Sequence, residues 1–336
     1  MSVSAAKLRP LLEDADYWRG PPAEATPPLS HKEWQHFVLF GGSWTLLFNL
    51  NLDGDGKGRT ITIVDHQGWH GRVTRCATPV LRPGRLDATF GLSGMRFRGG
   101  HYEIWQLGDG VRLEATLVPV ALPSLSHHIH LGPGAHLSWC LVPRLLASGW
   151  FEVDGQRSSF EGCLAYHDHN WGCFGWGGDF SWDWGCALPD DPGSPFTVVF
   201  ARMHDRARRR TTATSLFLLK EGRHLRYFRN AEVRFEHEGW MSPRPRGRIP
   251  PAAALVVPEE DRDVPQLTRF EARRGDDVLR GEVEAQRRGQ VLIPAEGDLR
   301  RVVRLNEVET RVRLEGRCDD APVRFEGPGL LEVVRG

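Results

Sequence analysis

The chain has 336 residues, which is long enough for two domains that each bury a hydrophobic core. Its 43 Lys and Arg balance its 43 Asp and Glu, so net charge gives no reason to expect nucleic acid or an acidic membrane as a partner. No segment approaches the roughly 18 continuous apolar residues of a membrane-spanning helix, and the N-terminus lacks the apolar region of a signal peptide. These features predict a cytoplasmic protein.

Short strands separated by turns dominate the pattern of the chain. The first 30 residues contain five prolines and no sustained periodicity, and they predict an irregular arm in which Ser4–Asp14 is the best helix candidate. From Trp34 onward, strand-like runs alternate with Gly- and Asp-rich turns. The runs Trp44–Asn51 and Thr60–Asp65, joined by DGDG, are typical of a β-hairpin. The sequence therefore predicts an all-β chain of barrels or sandwiches.

The same pattern resumes after Asp179, so two similar β halves that join near Gly178 are the simplest arrangement. We expect an N-terminal arm at 1–30, a first domain at 31–178 and a second domain at 179–336. In the second half, Pro243–Pro258 predicts a long loop. The basic cluster Arg206–Arg210 predicts a solvated hairpin loop rather than a phosphate-binding patch.

Tryptophan is unusually abundant, with 12 Trp and 16 Phe against only 4 Tyr. Indole rings offer large apolar faces and an electron-rich π surface, which suit an apolar ligand or a cation. A core packed with aromatic side chains would account for the same composition. The tryptophans that we expect to contact substrate are Trp34, Trp139, Trp171, Trp176, Trp182 and Trp184.

The most informative segment is GCLAYHDHNWG at 162–172, which places an acid between two imidazoles. In a strand, alternation directs Tyr166, Asp168 and Asn170 to one face and His167 and His169 to the other. A carboxyl group in an apolar cavity resists ionisation, so it can deliver a proton to an alkene carbon. These five residues are the predicted catalytic set, with Asp168 as the general acid. A structural His-Asp-His cluster that pins the join between the domains is the alternative.

A metal site is a further alternative, because an H-x-H pair on a strand projects both rings to one face. The histidines available for it are His127, His128, His130, His167 and His169. Spacing identifies no third ligand, and the six cysteines form no C-x-x-C pair. No G-x-S-x-G elbow is present for a serine nucleophile. We therefore expect neither a metal ion nor a serine-hydrolase mechanism.

The segment GCLAYHDHNWG resembles the signature of the carotenoid 1,2-hydratases (hydroxyneurosporene synthases) and their AttH-like relatives. Three further segments are similar in the same order: His31–Phe40, Leu141–Val153 and Phe180–Leu188. Gln35 and His36 depart from the early E-W-W-Y-F pattern of the family. The resemblance runs from about His31 to Met203, and beyond that point only the β pattern is shared.

The resemblance implies two lipocalin-like β-barrel domains in tandem, with a ligand site in or between them and no required cofactor. Family members add water across a terminal isoprenoid double bond, and relatives include terpene cyclases and Diels–Alderases. The Y-x-D element of the family corresponds to Tyr166 and Asp168, which would deliver and relay the proton. The upstream His and Trp positions of the family have His136 and Trp139 as candidate counterparts.

The expected activity is acid-catalysed hydration or cyclisation of an apolar isoprenoid or polyene, by a lyase or an isomerase. In either reaction Asp168 protonates an alkene, and water or an internal double bond captures the carbocation. A Diels–Alderase-type pericyclase and a non-catalytic lipocalin-like binding protein are the alternatives. The expected partner is an apolar small molecule and no nucleic acid. Peripheral contact with a membrane remains open, as does the oligomeric state.

Overall fold

The computed structural model describes residues 5–21, 30–82, 84–242, 244–260, 262–298 and 300–336. The chain divides into two compact units, Met1–Gly175 (unit 1) and Trp176–Gly336 (unit 2). Each unit contains one large curled sheet, and among the residues just named all but one of the strand pairs are antiparallel. The prediction of an all-β fold with two tandem barrel-like domains is thereby confirmed. The domain bounds 31–178 and 179–336 stay predictions.

Unit 1 contains one helix and twelve strands in its described part. They are α1 (Ala5–Ala15), β1 (Ser30–Phe40), β2 (Thr45–Asp53), β3 (Gly58–His66), β4 (Gly68–Cys76), β5 (Val80–Leu81), β6 (Ala88–Phe90), β7 (Ser93–Arg98), β8 (His101–Gln106), β9 (Val111–Pro119), β10 (Ser124–Gly132), β11 (Ala135–Val153) and β12 (Gln156–Phe174). The strand order is β4-β3-β2-β1-β12-β11-β9-β8-β7-β6-β5, and β10 pairs with β11. The long strand β12 therefore lies between β1 and β11.

Unit 2 contains ten strands and two short helical segments in its described part. They are β13 (Ser181–Ala187), β14 (Phe196–His204), β15 (Thr211–Lys220), β16 (Arg223–Arg229), a 3₁₀ turn (Asn230–Glu232), β17 (Val233–Trp240), β18 (Arg248–Ile249), α2 (Pro251–Val256), β19 (Pro265–Arg274), β20 (Asp277–Pro294), β21 (Val302–Cys318) and β22 (Ala321–Arg335). The strand order is β16-β15-β14-β13-β22-β21-β20-β19-β17, and β18 pairs in parallel with β20.

The two faces of the central strands of unit 1 have different surroundings. Phe37 and Leu39 of β1, Val142 of β11 and Ala165 of β12 point into the hydrophobic core, and we call this side the inner face. Because side chains alternate along a strand, the residues between them occupy the outer face. The outer-face residues of this region are also buried, as Val38 shows. Burial on both faces accounts for the nearly continuous hydrophobic pattern of β1.

The helix α1 belongs to the core of unit 1, which differs from the irregular arm predicted at 1–30. Leu8 and Leu12 are four residues apart, so they share one face of the helix, and both are buried in the core with Trp18. The backbone of Trp18 also pairs with Arg85 and Gly84. The helix itself falls within one residue of the predicted Ser4–Asp14 segment. The prolines around the helix in the sequence indicate an irregular arm, so its packing in the core could not be predicted from composition.

Several predicted loops contain more structure than their composition indicates. The predicted DGDG turn is present, with the Gly56 amide donating to the Asp53 carbonyl. Within the predicted loop Pro243–Pro258, the structure forms β18 and α2. The basic loop Arg206–Arg210 is mostly exposed, but Arg208 turns inward to an ion pair with the buried Asp183. Among the described residues, no helix has the length and apolar character needed to span a membrane.

Candidate active site

Asp168 lies on the outer face of β12 and is held there by its neighbours in the sequence. The Tyr166 hydroxyl donates a hydrogen bond to Oδ2 of Asp168 at 3.0 Å, and Asn170 Nδ2 donates to Oδ1 at 2.7 Å. Residues two apart on a strand share a face, which is why these three side chains meet. Asp168 is only 4% exposed and Tyr166 is fully buried. The structure thus brings together three of the five predicted catalytic residues, which we call the Asp168 set.

Residues from the two flanking strands extend this polar outer face. His36 of β1 and Leu141 of β11 lie directly opposite Asp168, whereas Trp34 and Trp139 lie directly opposite Asn170. Cross-strand neighbours have side chains on the same face. Two of the predicted substrate-contacting tryptophans, one on each side of β12, are therefore adjacent to the Asp168 set.

His36 is a neutral imidazole next to this set. Burial, together with the charge of His167, lowers the pKa of His36 to about 3. Asn49 Nδ2 lies 3.1 Å from its Nδ1, which makes Nδ1 the acceptor and leaves the hydrogen on Nε2. In the sequence, His36 stands out only as a departure from the family pattern. Its register opposite Asp168 depends on the pairing of β1 with β12, which the sequence pattern does not specify.

His167 and His169 point to the inner face and contact different partners. His167 stacks on Phe37, with 4.1 Å between ring centroids, and its two nitrogens face the His36 carbonyl at 2.9 Å and Asp16 Oδ2 at 3.0 Å. His169 lies between two acids, 2.9 Å from Glu33 Oε1 and 3.1 Å from Asp16 Oδ1. The contacts of both histidines therefore favour a structural role, and their assignment to catalysis stays a prediction.

We call Asp16, Glu33, His167 and His169 the inner network. The charges of these four side chains stabilise one another. Burial opposes ionisation of Asp16, but His167 and His169 outweigh it and hold the pKa of Asp16 well below its ordinary range. Burial acts against Glu33 in the same way, yet hydrogen bonds from His169 and His31 lower its pKa to about 2. Burial lowers the pKa of His169, and the bonds to the two acids reverse this and raise it overall. Both acids are therefore ionised and His169 carries a positive charge.

The inner network fixes the segment that follows α1. The amides of Arg19 and Gly20 both donate to the Glu33 carboxylate at 2.8 Å, and Tyr102 donates to Asp16 at 2.6 Å. The Arg19 guanidinium lies 3.4 Å from the ring centroid of Trp171. Trp171 is therefore occupied on the inner face, away from Asp168. Asp16, Glu33 and Arg19 were absent from the sequence prediction because the histidines that they contact, His167 and His169, lie more than 130 residues further along the chain.

The other three predicted tryptophans belong to unit 2. Trp176, Trp182 and Trp184 are all buried, and the Trp176 and Trp182 ring centroids are 5.6 Å apart. The Trp182 Nε1 donates a hydrogen bond to Glu332 Oε1 at 2.5 Å. Glu332 was not singled out in the sequence, because an isolated Glu in a hydrophobic strand gives no signal of its own. The tryptophans expected to contact substrate are thus spread over several environments.

The histidines considered for a metal site do not converge. His127 packs against Trp171 with 6.0 Å between ring centroids, and His128 packs against His136 at 4.5 Å. His167 and His169 are engaged with Asp16 and Glu33 as described above. In the part of the chain that the structure describes, no three His, Cys, Asp or Glu side chains are grouped so that they could hold a metal ion.

No protein-family profile matches the chain, and no curated protein matches it significantly. Solved structures do match it. Kievitone hydratase from Nectria haematococca superimposes with a TM-score of 0.61 at 12% identity, covering 96% of this chain and 97% of the hydratase. A putative AttH from Nitrosomonas europaea gives 0.61 at 14% identity, covering 94% and 98%. CghA in complex with Sch210972 gives 0.57 at 11% identity, covering 96% of each chain.

These matches extend over nearly the whole length of each protein, so the similarity covers both units and is not limited to one of them. At such low identity they establish fold rather than activity. The resemblance found in the sequence is confirmed at this level: the chain has the two-domain, lipocalin-like fold of the AttH-like proteins.

Proposed function

We propose that the protein is a hydratase or cyclase that protonates an alkene of an apolar isoprenoid or polyene, with Asp168 as the group that transfers the proton. The observation that carries the proposal is the buried Asp168 set, in which a carboxyl group with two defined hydrogen-bond partners lies on a strand next to two tryptophans. The shared fold with kievitone hydratase supports the same class of reaction.

In hydration, the Asp168 carboxyl donates its proton to one alkene carbon, and the π electrons form the new C–H bond. The other carbon becomes a carbocation, which a water molecule attacks through its oxygen. The oxonium that results returns a proton to the Asp168 carboxylate, so the enzyme is regenerated and the net change is addition of H₂O. In cyclisation an internal double bond replaces water, and loss of a proton from carbon to Asp168 completes the reaction.

The partners of Asp168 suit a group that must gain and lose a proton. Burial favours the protonated form, and hydrogen bonds from Tyr166 and Asn170 favour the carboxylate. A phenol hydroxyl both donates and accepts, so Tyr166 can turn to accept a hydrogen bond when Oδ2 carries the proton. The set therefore keeps its contacts in both protonation states. A carboxyl group that keeps its hydrogen bonds in both protonation states suits general acid–base catalysis.

Trp34 and Trp139 have a separate role in this proposal. Their positions opposite Asn170 place indole rings along the face that carries Asp168. An indole face attracts a cation by about 0.5–2 kcal/mol or more, depending on desolvation, and it excludes water from the reacting atoms. His167 and His169 are positioning residues. Their hydrogen bonds connect β12 to β1 and to the segment after α1.

The decisive variant is Asp168→Asn, which preserves the size of the side chain and removes the acidic proton. We expect turnover of a polyprenyl or polyene substrate to fall at least ~100-fold with an unchanged melting temperature, since general acids contribute about 10²–10⁴-fold. Asp53→Asn, in a half-exposed ion pair on β2, is the control and should retain activity. Full activity of Asp168→Asn would overturn the assignment.

A pericyclase that folds a polyene without proton transfer is the second candidate. It is favoured by the shared fold with CghA, whose structure contains Sch210972, and by the hydrogen bonds that already occupy both oxygens of Asp168. In such an enzyme Asp168 would only orient a polar group of the substrate. Asp168→Asn should then reduce turnover by ~10-fold or less, and the rate should not change between pH 5 and 9.

A further inference from the structure

Two glutamates lie side by side on the sheet of unit 2. Glu307 of β21 is directly opposite Glu332 of β22, and Trp184 of β13 is directly opposite Glu332 on its other side. Cross-strand partners share a face, and Trp182 shares it too because it is two residues from Trp184. The neighbouring Val308 and Leu331 point instead into the hydrophobic core. We refer to Glu307 and Glu332 as the carboxyl pair.

Within the described part of unit 2, neither member of the carboxyl pair forms an ion pair with a lysine, arginine or histidine. Glu307 is 7% exposed, and none of the described residues donates a hydrogen bond to its buried Oε2. Glu332 accepts the indole hydrogen of Trp182 at 2.5 Å. Two ionised carboxylates so close together repel each other, and burial increases the repulsion. One proton shared between them removes the repulsion and supplies the donor that Glu307 lacks.

The electrostatics of the two groups agree with a shared proton. Burial raises the pKa of Glu307 well above its ordinary value, and the charge of Glu332 and their mutual hydrogen bond raise it further. Burial also raises the pKa of Glu332, although the hydrogen bonds from Trp182 and Glu307 oppose the rise. Glu307 is thus the member that holds the proton, and Glu332 is the carboxylate that accepts two hydrogen bonds.

Glu309, two residues after Glu307 on β21, is a buried acid with which the carboxyl pair can be compared. It is also buried and lies on the same face, but Arg287 forms an ion pair with it. A buried acid of this protein can therefore be compensated by a guanidinium, as Asp183 is by Arg208. The carboxyl pair instead lies beside indole rings. A protonated carboxyl in that setting is the arrangement that enzymes use to keep an acid available near neutral pH.

We propose that the carboxyl pair of Glu307 and Glu332 is a second proton-donating site of the enzyme, acting on an alkene or a hydroxyl group of an apolar substrate that lies against Trp182 and Trp184. The class of reaction rests on the proposed function, but the residues do not include Asp168. With an alkene, Glu307 donates its proton to carbon, the π electrons form the C–H bond, and a carbocation remains. With an alcohol, the proton goes to the hydroxyl oxygen and water departs with the C–O electron pair.

The carbocation formed in this step offsets the repulsion within the ionised pair. When Glu307 loses its proton, the pair holds two negative charges beside the new carbocation, and the two charges stabilise the cation directly. The indole rings contribute further through their π faces. When water or an internal alkene has captured the cation, the proton released by the product returns to the pair.

Protonation of the pair can be measured without a substrate. Infrared difference spectroscopy in H₂O and D₂O detects the C=O stretch of a protonated carboxyl, which is separate from the carboxylate bands. At pH 7 we expect a protonated-carboxyl band that disappears in both Glu307→Gln and Glu332→Gln and persists in Glu309→Gln and in Asp168→Asn. A wild-type spectrum at pH 7 with no protonated-carboxyl band that both of the first two substitutions remove would overturn the proposal.

Turnover then tests the catalytic role. Glu307→Gln should fold normally, because the Gln amide can still donate to Glu332, and it should lose at least ~100-fold in turnover, while Glu309→Gln keeps its activity. Full activity of Glu307→Gln with an inactive Asp168→Asn would contradict this inference and leave the proposed function standing. An inactive Glu307→Gln with an active Asp168→Asn would support the inference and remove Asp168 from its role.

Discussion

Asp168 owes its defined orientation to hydrogen bonds from side chains two positions before and after it on β12. Such i and i+2 contacts follow from strand alternation alone, so the grouping of Tyr166, Asp168 and Asn170 could be predicted from the sequence. The separation of His167 and His169 onto the other face could be predicted in the same way. Their partners Asp16 and Glu33 could not, because those contacts depend on tertiary packing.

Tyr166→Phe tests whether the hydroxyl group of Tyr166 assists Asp168. The substitution removes the hydroxyl that bonds Asp168 Oδ2 and keeps the ring in its buried position, so we expect turnover to fall by ~10–100-fold and stability by about 1 kcal/mol. Steady-state kinetics and a denaturant titration measure the two effects. Tyr227→Phe, at a half-exposed hydroxyl that contacts Ser215, is the matched control. Equal activity of both variants would show that Tyr166 does not assist Asp168.

The inner network makes stability depend on pH in a defined direction. Glu33 has a lowered pKa in the folded protein, so its contribution is present above the ordinary glutamate value of about 4.3 and is lost as pH falls towards about 2. His169 has a raised pKa, so its contribution is complete below about 6.5 and is lost as pH rises through the folded-state value. These two groups together favour maximal stability between about pH 4.5 and 6.5.

Denaturant titrations from pH 2 to 9 test this pH dependence. Wild type should lose stability on both sides of that interval. Glu33→Gln should be destabilised by about 3 kcal/mol near pH 6, because it removes one partner of the buried His169 charge, and its loss of stability below pH 4.5 should be smaller. Identical pH profiles for the two proteins would contradict the charge assignment.

At the scale of elements, α1 is the clearest departure from expectation. The sequence predicts its position but not its burial, since a helix of 11 residues with an internal proline and a proline-rich continuation has the composition of a free arm. Its attachment comes from the buried leucines and from Asp16 and Arg19 just beyond its end. The helix thus belongs to the unit that carries the Asp168 set, on the opposite face of β12.

Adjacent leucines of α1 allow a matched test. Leu12 is fully buried in the core, whereas Leu11 is 46% exposed. Leu12→Ala should destabilise the protein by about 2–5 kcal/mol and Leu11→Ala by less than about 1 kcal/mol, because only the first substitution leaves a cavity. Thermal or denaturant unfolding measures the difference. Equal effects of the two substitutions would indicate that α1 is a free arm, as the sequence alone predicts.

At the scale of the whole molecule, the alternating strand pattern was enough to predict two β units, and the solved structures agree with the chain over both of them. Strand register was not predictable, and the polar clusters depend on it. Glu307 and Glu332 illustrate this, because they are 25 positions apart in the chain and only the pairing of β21 with β22 places them together. Long-range pairing likewise places Trp34 and Trp139 on either side of Asn170.

Proton transfer to carbon is the central claim for the molecule, and one isotope experiment tests it most directly. Purified protein is incubated with a panel of polyprenyl and polyene substrates in deuterated water, and the products are analysed by mass spectrometry and NMR. We predict a hydrated or cyclised product with one non-exchangeable deuterium on carbon, and at least ~100-fold less of it with Asp168→Asn. A product without deuterium on carbon, or a ligand recovered unchanged, would contradict the account.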